Sequence, residues 1–233
     1  MNRQQLISEI KRSWNIVKAM GLDNVFSNPI PLEPSEIFRT LATSYKTTYE
    51  ELYLIAMENG DYNFLLSDYS FFQFGIGTDD HVRFAYYPNP FLGASREVIA
   101  EIGEIQTYVT EGLTSVDELL HKISEVRQSQ HPPLVRYENS PSQYVESIHP
   151  CSHFHIGHHG TNRWALSRTL TPTAFVLLIL KNFYSETWHS ISDCQIFGRS
   201  ASLDEILISE KAKCRALGDD LFSPTERLLF AFG

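Results

Sequence analysis

The segment Thr173–Tyr184 is apolar around almost its whole circumference, and this constrains the fold more than any other part of the chain. It follows Thr171 and Pro172, a capping residue and then a proline at the first helical position, so the sequence predicts that a helix begins there. A helix without a polar face must be covered on all sides by other elements. We therefore expect one central buried helix near residues 172–184, with the rest of the chain packed around it.

Helical and strand patterns come in blocks along the chain rather than in strict alternation. Residues 1–60 carry apolar side chains at helical spacing, and a second helical stretch covers residues 95–128. Short apolar and aromatic runs bounded by turn residues lie before and after that second stretch. This order predicts an α+β fold in which antiparallel sheet elements pack against helices. The strands are expected at Asn63–Leu66, Ser70–Gly75, Val82–Tyr87, Leu134–Glu138, Tyr144–Ile148 and Cys151–Gly157.

The length of 233 residues suits a single domain over residues 1–233, with a helical part over about residues 1–60 and a mixed core over about residues 61–233. The longest apolar run, Ala174–Leu180, is too short to span a bilayer, and the first residues lack the apolar core of a signal peptide. Three scattered cysteines argue against a disulfide framework. These features predict a cytoplasmic protein of bacterial type that does not contact membranes.

The most unusual chemical feature is a cluster of histidines, because five of the nine lie within His149–His159. If Cys151–Gly157 is an extended strand, His153 and His155 point to one face and the apolar residues between them to the other. The two histidines would then stand about 7 Å apart along the strand. Gly157, just beyond them, would leave room for a ligand to approach the backbone.

Three interpretations of His153 and His155 are compatible with the sequence. The pair could bind a divalent metal such as zinc, which requires a third ligand from another position. It could act without metal, one imidazole as a base and the other as an acid. It could also be structural, with both rings hydrogen-bonded to neighbours. The candidates for the third metal ligand are Glu138, Glu146, His149 and His159.

Positive charge follows the histidines along the chain. Arg163 and Arg168 lie between the histidine strand and the predicted helix start at Thr171. A helix N-terminus attracts anions, and arginine side chains can hold a phosphate through two hydrogen bonds, so these three residues are candidate substrate-binding residues. The alternative interpretation is that each arginine only pairs with a surface carboxylate. Arg136, Glu138 and His149 are candidate supporting residues around the pair.

Other motifs are missing. The chain contains no glycine-rich phosphate loop, no dinucleotide-binding fingerprint, no paired cysteine motif and no Gly-x-Ser-x-Gly elbow. The net charge of −9 argues against a protein that coats nucleic acid through bulk charge, although a local basic patch remains compatible with acting on it.

A combination of segments spans the middle of the chain: Ser70-Phe71-Phe72-Gln73-Phe74, Arg83-Phe84-Ala85-Tyr86-Tyr87-Pro88, Val135-Arg136-Tyr137, His149-Pro150-Cys151-Ser152-His153-Phe154-His155-Ile156-Gly157, Arg163, Leu170-Thr171-Pro172 and Ile179-Leu180-Lys181-Asn182-Phe183-Tyr184. This combination resembles an uncharacterised bacterial family, the domain of unknown function 2290. The resemblance covers about residues 45–185. Because that family has no assigned activity, the resemblance supports the choice of these segments and implies no mechanism.

The sequence therefore favours two functions from different classes. The first is a phosphodiesterase or nuclease-like enzyme, within a bacterial toxin or phage-defence system, in which His153 and His155 are catalytic or bind metal. The alternative is a non-catalytic subunit that binds a protein partner in a multi-protein bacterial system. The aromatic run Tyr69–Phe74 and the acidic net charge suit that alternative.

Overall fold

The computed structural model of the protein describes residues 1–77, 81–91, 96–126, 132–191, 194–196 and 199–230. It confirms the α+β class, since helices pack on both faces of an antiparallel sheet. Within the described ranges the α-helices are α1 (Arg3–Ala19), α2 (Glu36–Thr43), α3 (Tyr49–Asn59), α4 (Arg96–Thr110), α5 (Val116–Val126), α6 (Pro172–Phe183), α7 (Ser185–Ser190), α8 (Leu203–Lys211) and α9 (Pro224–Phe230).

The sheet contains seven strands in sequence order, and each strand pairs with the next in antiparallel fashion. A separate hairpin of two strands, β8 and β9, lies near the C-terminal part of the chain. The strands are β1 (Asp23–Phe26), β2 (Phe64–Leu66), β3 (Phe71–Ile76), β4 (Val82–Tyr87), β5 (Val135–Asn139), β6 (Ser152–Ile156), β7 (Trp164–Ala165), β8 (Cys194–Ile196) and β9 (Arg199–Ala201).

One face of the sheet packs against α6, which is buried along most of its length, as the sequence predicts. The Thr171 side chain caps this helix by accepting a hydrogen bond from the Ala174 amide (3.0 Å). The Phe175 ring is fully buried against aromatic rings of β3, β4 and β6. Helices α1 and α8 pack beside α6, so they form the outer cover that an apolar helix requires.

The opposite face of the sheet is only partly covered by apolar side chains. Helices α2 to α5 bury Phe71, Ala85 and Tyr87, together with apolar residues of their own. The α3 helix in this layer begins at a capping box formed by Thr48 and Glu51 and ends at Gly60, whose φ of 66° favours glycine. Towards β5 and β6 the side chains on the same face become polar, which leaves a charged region inside the fold.

The secondary structure differs from the sequence-based expectation in several places. The strand predicted at Tyr144–Ile148 is wrong: a short 3-10 turn at Pro141–Gln143 and a tight turn with Ser147 at φ 60° occupy this region, and β5 pairs directly with β6. The short strand β1 was not predicted, because its largely exposed residues show no alternation of apolar and polar side chains.

The helix predicted over residues 95–128 is two helices, α4 and α5, separated by a turn at Gly112, whose φ is 73°. Residues 95 and 127–128 of that prediction lie outside the described residues. None of the helices within the described ranges combines the length and the apolar character needed to cross a membrane.

Candidate metal centre

The polar region on the partly covered face is built by the register of three neighbouring strands. Arg83 in β4 lies opposite Glu138 in β5, and Glu138 lies opposite His153 in β6. Two residues away in each of these strands, Arg136 in β5 lies opposite His155 in β6. Cross-strand partners project from the same face of a sheet, so these five side chains share one surface.

Strand β6 confirms the alternation that the sequence predicts. Phe154 packs towards α6, whereas the side chains of His153 and His155 project from the other face. Both histidines are also buried, with exposed fractions of 0% and 7%. Their rings lean towards each other, so that the two Nε2 atoms lie only 3.0 Å apart, much closer than the strand rise alone suggests.

The hydrogen bonds of the two rings fix where their protons lie. His153 Nδ1 is 2.7 Å from the Pro150 carbonyl oxygen, and His155 Nδ1 is 3.2 Å from the Gly160 carbonyl oxygen. A carbonyl oxygen can only accept, so each Nδ1 must carry the proton that it donates. In the neutral form of both rings, each Nε2 therefore carries a lone pair, and the two lone pairs face each other.

Two opposed lone pairs repel unless a positive charge lies between them, and a carboxylate completes the group. Glu138 Oε2 is 4.0 Å from His155 Nε2. Ligand atoms of Glu138, His153 and His155 all lie within 4.8 Å of one another, and within the described part of the chain these three form the group suited to a metal ion. At a tetrahedral zinc ion with Zn–N bonds near 2.0–2.1 Å, two nitrogen ligands stand about 3.3 Å apart. The observed spacing is thus close to what a metal requires.

Of the four candidate third ligands, only Glu138 is placed to complete the group. Glu146 accepts a hydrogen bond from Ser223, and His159 Nε2 lies 2.8 Å from the Thr47 carbonyl oxygen. The His149 ring packs edge-on against the His153 ring, at 5.1 Å between centroids, and its buried Nδ1 has no hydrogen-bond partner in the described structure. His149 therefore borders the group without belonging to it.

Charges around the group favour the protonation states that a metal needs. Burial would raise the pKa of the Glu138 carboxyl, but the positive charge of Arg83, followed by His155 and Arg136, outweighs it and holds this pKa below its usual value. Burial, followed by the charge of Arg136, lowers the pKa of His155. Burial and then repulsion from His155 lower the pKa of His153 to about 4. At neutral pH the carboxylate is therefore ionised and both imidazoles are neutral.

Two partly buried arginines lie beside the group and interact with the Glu138 charge only from beyond ion-pair distance. Within the described residues neither Arg83 nor Arg136 forms an ion pair, and the buried Nε atom of each has no hydrogen-bond partner. Arg83 Nη2 donates to the Tyr87 hydroxyl at 3.2 Å. Burial, and then repulsion from Arg83, lower the pKa of Arg136, although Tyr87 and Glu138 act in the opposite direction. Such a pair is suited to holding an anion.

The remaining predicted substrate-binding residues divide between two regions. The exposed Arg163 lies near the histidines. Burial and then Arg136 are the main causes of the lowered His155 pKa, and the charge of Arg163 is a smaller one. Arg168, in contrast, donates to the Cys214 carbonyl oxygen at 2.9 Å. The Arg168 carbonyl oxygen accepts from Ser152, on the α6 side of β6, so the sheet separates this segment from the histidines.

Thr171 also lies away from the histidines, because its environment at the start of α6 is already filled. Besides capping the helix, the Thr171 hydroxyl donates to Oε1 of the buried Glu210 at 2.7 Å. Arg12 and Lys213 pair with the same carboxylate at 3.2 and 2.8 Å. The negative charge that favours a helix N-terminus is thus supplied by the protein itself. The expected grouping of Arg168 and Thr171 with the histidines is therefore not found.

The sequence reasoning missed Arg83 as a site residue. The sequence feature that could have revealed it is a single charged side chain at an inward position of the otherwise apolar strand Val82–Tyr87. A partly buried charge in such a strand needs either a partner or a function.

The family model described as an uncharacterized conserved protein, DUF2290, matches residues 30–218. The chain belongs to this family. The match includes Arg83, Arg136, Glu138 and both histidines, so the whole candidate centre lies within the DUF2290 region. No curated protein and no solved structure matches the chain.

The lowered histidine pKa values predict a pH dependence of stability. A group whose pKa is lower in the folded state stabilises the fold fully above its unfolded value of 6.5, and that stability is lost as the pH falls through the folded value of about 4. For His153 alone the full change corresponds to roughly 3 kcal/mol. We expect the unfolding free energy of chelator-treated protein, measured in urea, to fall between pH 6.5 and pH 4.

The matched variants for this measurement are His153→Phe and, as a control, the exposed His121→Gln. His153→Phe retains a ring of similar size without a titrating group, so its stability is expected to vary less with pH than that of the unchanged protein. His121→Gln is expected to leave the slope unchanged. An identical slope in His153→Phe would show that His153 does not control the acid response.

Proposed function

We propose that the protein is a divalent-metal-dependent phosphoester hydrolase, of the phosphodiesterase or nuclease type, with its centre at Glu138, His153 and His155. The observation that carries this proposal is the convergence of two Nε2 lone pairs, each fixed by a backbone carbonyl, beside an ionised carboxylate. That arrangement is unfavourable when empty and favourable around a cation. Backbone carbonyls behind ligating imidazoles are also the usual outer shell of metal sites.

The number and kind of ligands favour a catalytic centre. Three protein ligands from histidine and carboxylate are typical of catalytic zinc sites, which keep one position for water. Two imidazoles and a carboxylate also suit other first-row divalent metals. A metal ion held by Glu138, His153 and His155 would supply Lewis-acid chemistry, by lowering the pKa of a bound water and polarising the phosphoester. Glu138 and His155 are the less buried members of the group, with side-chain exposures of 19% and 9%, so solvent reaches the centre from their side.

The arginines indicate that the substrate is a phosphoester. Attack on a phosphoester adds negative charge to the phosphoryl oxygens, and guanidinium groups stabilise that charge through fixed, paired donors. Arg136 and Arg83 project from the same sheet face as the metal ligands, and the charge of the exposed Arg163 also acts on His155. This local positive region supports action on an anionic substrate despite the net charge of −9.

The direct test combines metal binding with turnover in the full-length protein. Protein treated with chelator is titrated with Zn²⁺, Mn²⁺ and Co²⁺, and bound metal is counted per chain. Each form is then incubated with bis(p-nitrophenyl) phosphate and with a mixed pool of labelled RNA and DNA. We expect one metal ion per chain and hydrolysis only in a metal-loaded form. Folded protein that takes up no metal and cleaves no phosphoester under these conditions would overturn the proposal.

A partner-binding role is the second candidate, and a different surface favours it. Leu228 and Leu229 in α9 are 88% and 57% exposed, and Ile148 is 73% exposed. Glu226 in α9 accepts hydrogen bonds from Tyr144 and the Ser147 amide, so α9 packs beside the turn that carries Ile148. Exposed apolar residues at one end of a fold are typical of protein contacts. The aromatic run Tyr69–Phe74 is unsuitable for this role, because residues 70–74 are buried in the sheet.

A further inference from the structure

A row of aromatic rings extends from the buried Tyr49 to the protein surface. The Tyr45 ring lies 5.6 Å from the His159 ring, and the His159 ring lies 3.7 Å from that of His158, measured between centroids. His158 then contacts Tyr49, at 5.8 Å. The row begins at the buried Tyr49, which is 8% exposed, and ends at Tyr45, which is 80% exposed.

The row is held in a fixed position by the same turn that holds a metal ligand. His158 and His159 both place Nε2 at 2.8 Å from the Thr47 carbonyl oxygen, which joins this turn to the segment carrying Tyr45. The next residue, Gly160, provides the carbonyl oxygen that accepts from His155 Nδ1. His159 adopts a left-handed backbone with φ of 55°, which is rare for a residue with a side chain. The turn thus fixes ring positions and ligand orientation together.

The outer ring has an unused face. Tyr45 packs against His159 on one side, and its exposure means that the other side faces solvent. A flat, pre-positioned aromatic ring is the usual platform on which proteins stack bases of single-stranded nucleic acid. His155 and His159 are four positions apart, at most about 14 Å along an extended chain, and the turn brings them closer. That distance is comparable to one or two nucleotide units.

We propose that the free face of Tyr45, whose other face is supported by His159, stacks an unpaired nucleobase of the substrate while its phosphoester lies at Glu138, His153 and His155. This inference rests on the proposed function and narrows it to nucleotides and single-stranded nucleic acid. A base in a duplex is stacked on both sides and paired at its edge, so it cannot offer a free face to Tyr45. The guanidinium groups of Arg136 and Arg163 contact the backbone charge, which every nucleotide shares.

Binding to two matched oligomers separates base recognition from charge recognition. The probes are fluorescein-labelled octadeoxyadenylate and a labelled eight-unit abasic phosphodiester with the same charge, and affinity is measured by anisotropy at one salt concentration. The protein is treated with chelator, so no turnover is needed. Stacking on one aromatic ring is expected to make the base-bearing oligomer bind about 5- to 100-fold more tightly.

The variants assign that difference to Tyr45. Tyr45→Leu is expected to remove most of the preference for the base-bearing oligomer, whereas Tyr45→Phe, which retains the ring, preserves it. Tyr108→Leu, at another exposed tyrosine in α4, is the control and should bind both oligomers as the unchanged protein does. Because Tyr45 is largely exposed, its replacement leaves the packed core intact.

Equal affinity for the two oligomers would overturn this inference without affecting the proposed function, as would an unchanged preference in Tyr45→Leu. Equal binding of a blunt duplex would also overturn it, because the base must be unpaired. In contrast, the protein could show a base preference that depends on Tyr45 and yet hydrolyse no phosphoester with any metal. That result would overturn the proposed hydrolase function. The base bound at Tyr45 would then not belong to a substrate.

Discussion

Replacing His155 with alanine is expected to weaken zinc binding by about 100-fold or more and to reduce phosphoester hydrolysis to background. Loss of an outer-shell partner alone typically costs 10- to 100-fold in metal affinity, and loss of a direct ligand costs more. With two ligands left, His153 and Glu138, the ion is not held in a defined position. The measurement is a competitive zinc titration, followed by an assay of hydrolysis at saturating metal.

The same variant separates a metal site from a structural histidine pair through stability. A bound metal stabilises the fold by an amount that grows with the logarithm of its concentration relative to the Kd, about 4 kcal/mol at a thousand times the Kd. In the metal-free protein, by contrast, alanine at position 155 removes one of two lone pairs that face each other at 3.0 Å. We therefore expect His155→Ala to lower the melting temperature strongly in zinc and little in chelator.

A purely structural pair would give another pattern. If the two rings shared a proton in a hydrogen bond, His155→Ala would lower the melting temperature equally with and without zinc, and zinc would not shift the unchanged protein. The matched control is His121→Ala, which removes an exposed histidine of α5. Glu138→Gln tests the third ligand, because it retains the shape of the side chain and loses the charge that binds a cation.

The parts of this centre that the sequence predicts are those encoded by neighbouring residues. Alternation along Cys151–Gly157 is enough to place His153 and His155 on one face, and the unbroken apolar surface of α6 is enough to bury that helix. The predicted strand at Tyr144–Ile148 was wrong because its apolar residues belong to a turn, in which Pro141 starts a 3-10 segment and Ser147 adopts a left-handed backbone.

The parts that the sequence does not predict depend on contacts between distant segments. Arg83 and Glu138 become neighbours only through the pairing of β4 with β5, and two helices separate these strands along the chain. The choice of Glu138 among four candidate ligands is made by that register. The carbonyl groups of Pro150 and Gly160, which fix the imidazole protons, are present at every residue and leave no mark in a sequence.

Nearness in sequence was also misleading for the predicted phosphate site. Arg168 and Thr171 follow the histidines closely along the chain, but β6 and β7 carry the chain to the α6 side of the sheet before those residues are reached. There Thr171 meets Glu210 rather than a free anion. Positive charge reaches the histidines instead from Arg136 and Arg83, on strands that pair with β6 directly or through β5.

Replacing Arg136 with methionine is expected to reduce kcat/KM for phosphoester hydrolysis by about 100- to 1,000-fold, the usual cost of removing one donor that stabilises transition-state charge. Zinc binding should persist, because Arg136 is not a ligand and its positive charge opposes the metal. Methionine has a similar length and no charge, so it fills the same space beside His155. The measurement compares kcat/KM and zinc affinity in the same preparation.

Stability provides the second measurement for this residue, because Arg136→Met is expected to raise the free energy of unfolding while it lowers activity. Arg136 is a partly buried cation with no ion-pair partner among the described residues, and burial and Arg83 together lower its pKa. Removing an unpaired buried charge is often stabilising, by about 1 kcal/mol or more. Arg136→Met should therefore unfold at a higher urea concentration while it loses activity, whereas the exposed Arg3→Gln should change neither. Full activity in Arg136→Met would show that the substrate is held without this guanidinium, and a loss of stability would show that Arg136 serves the fold.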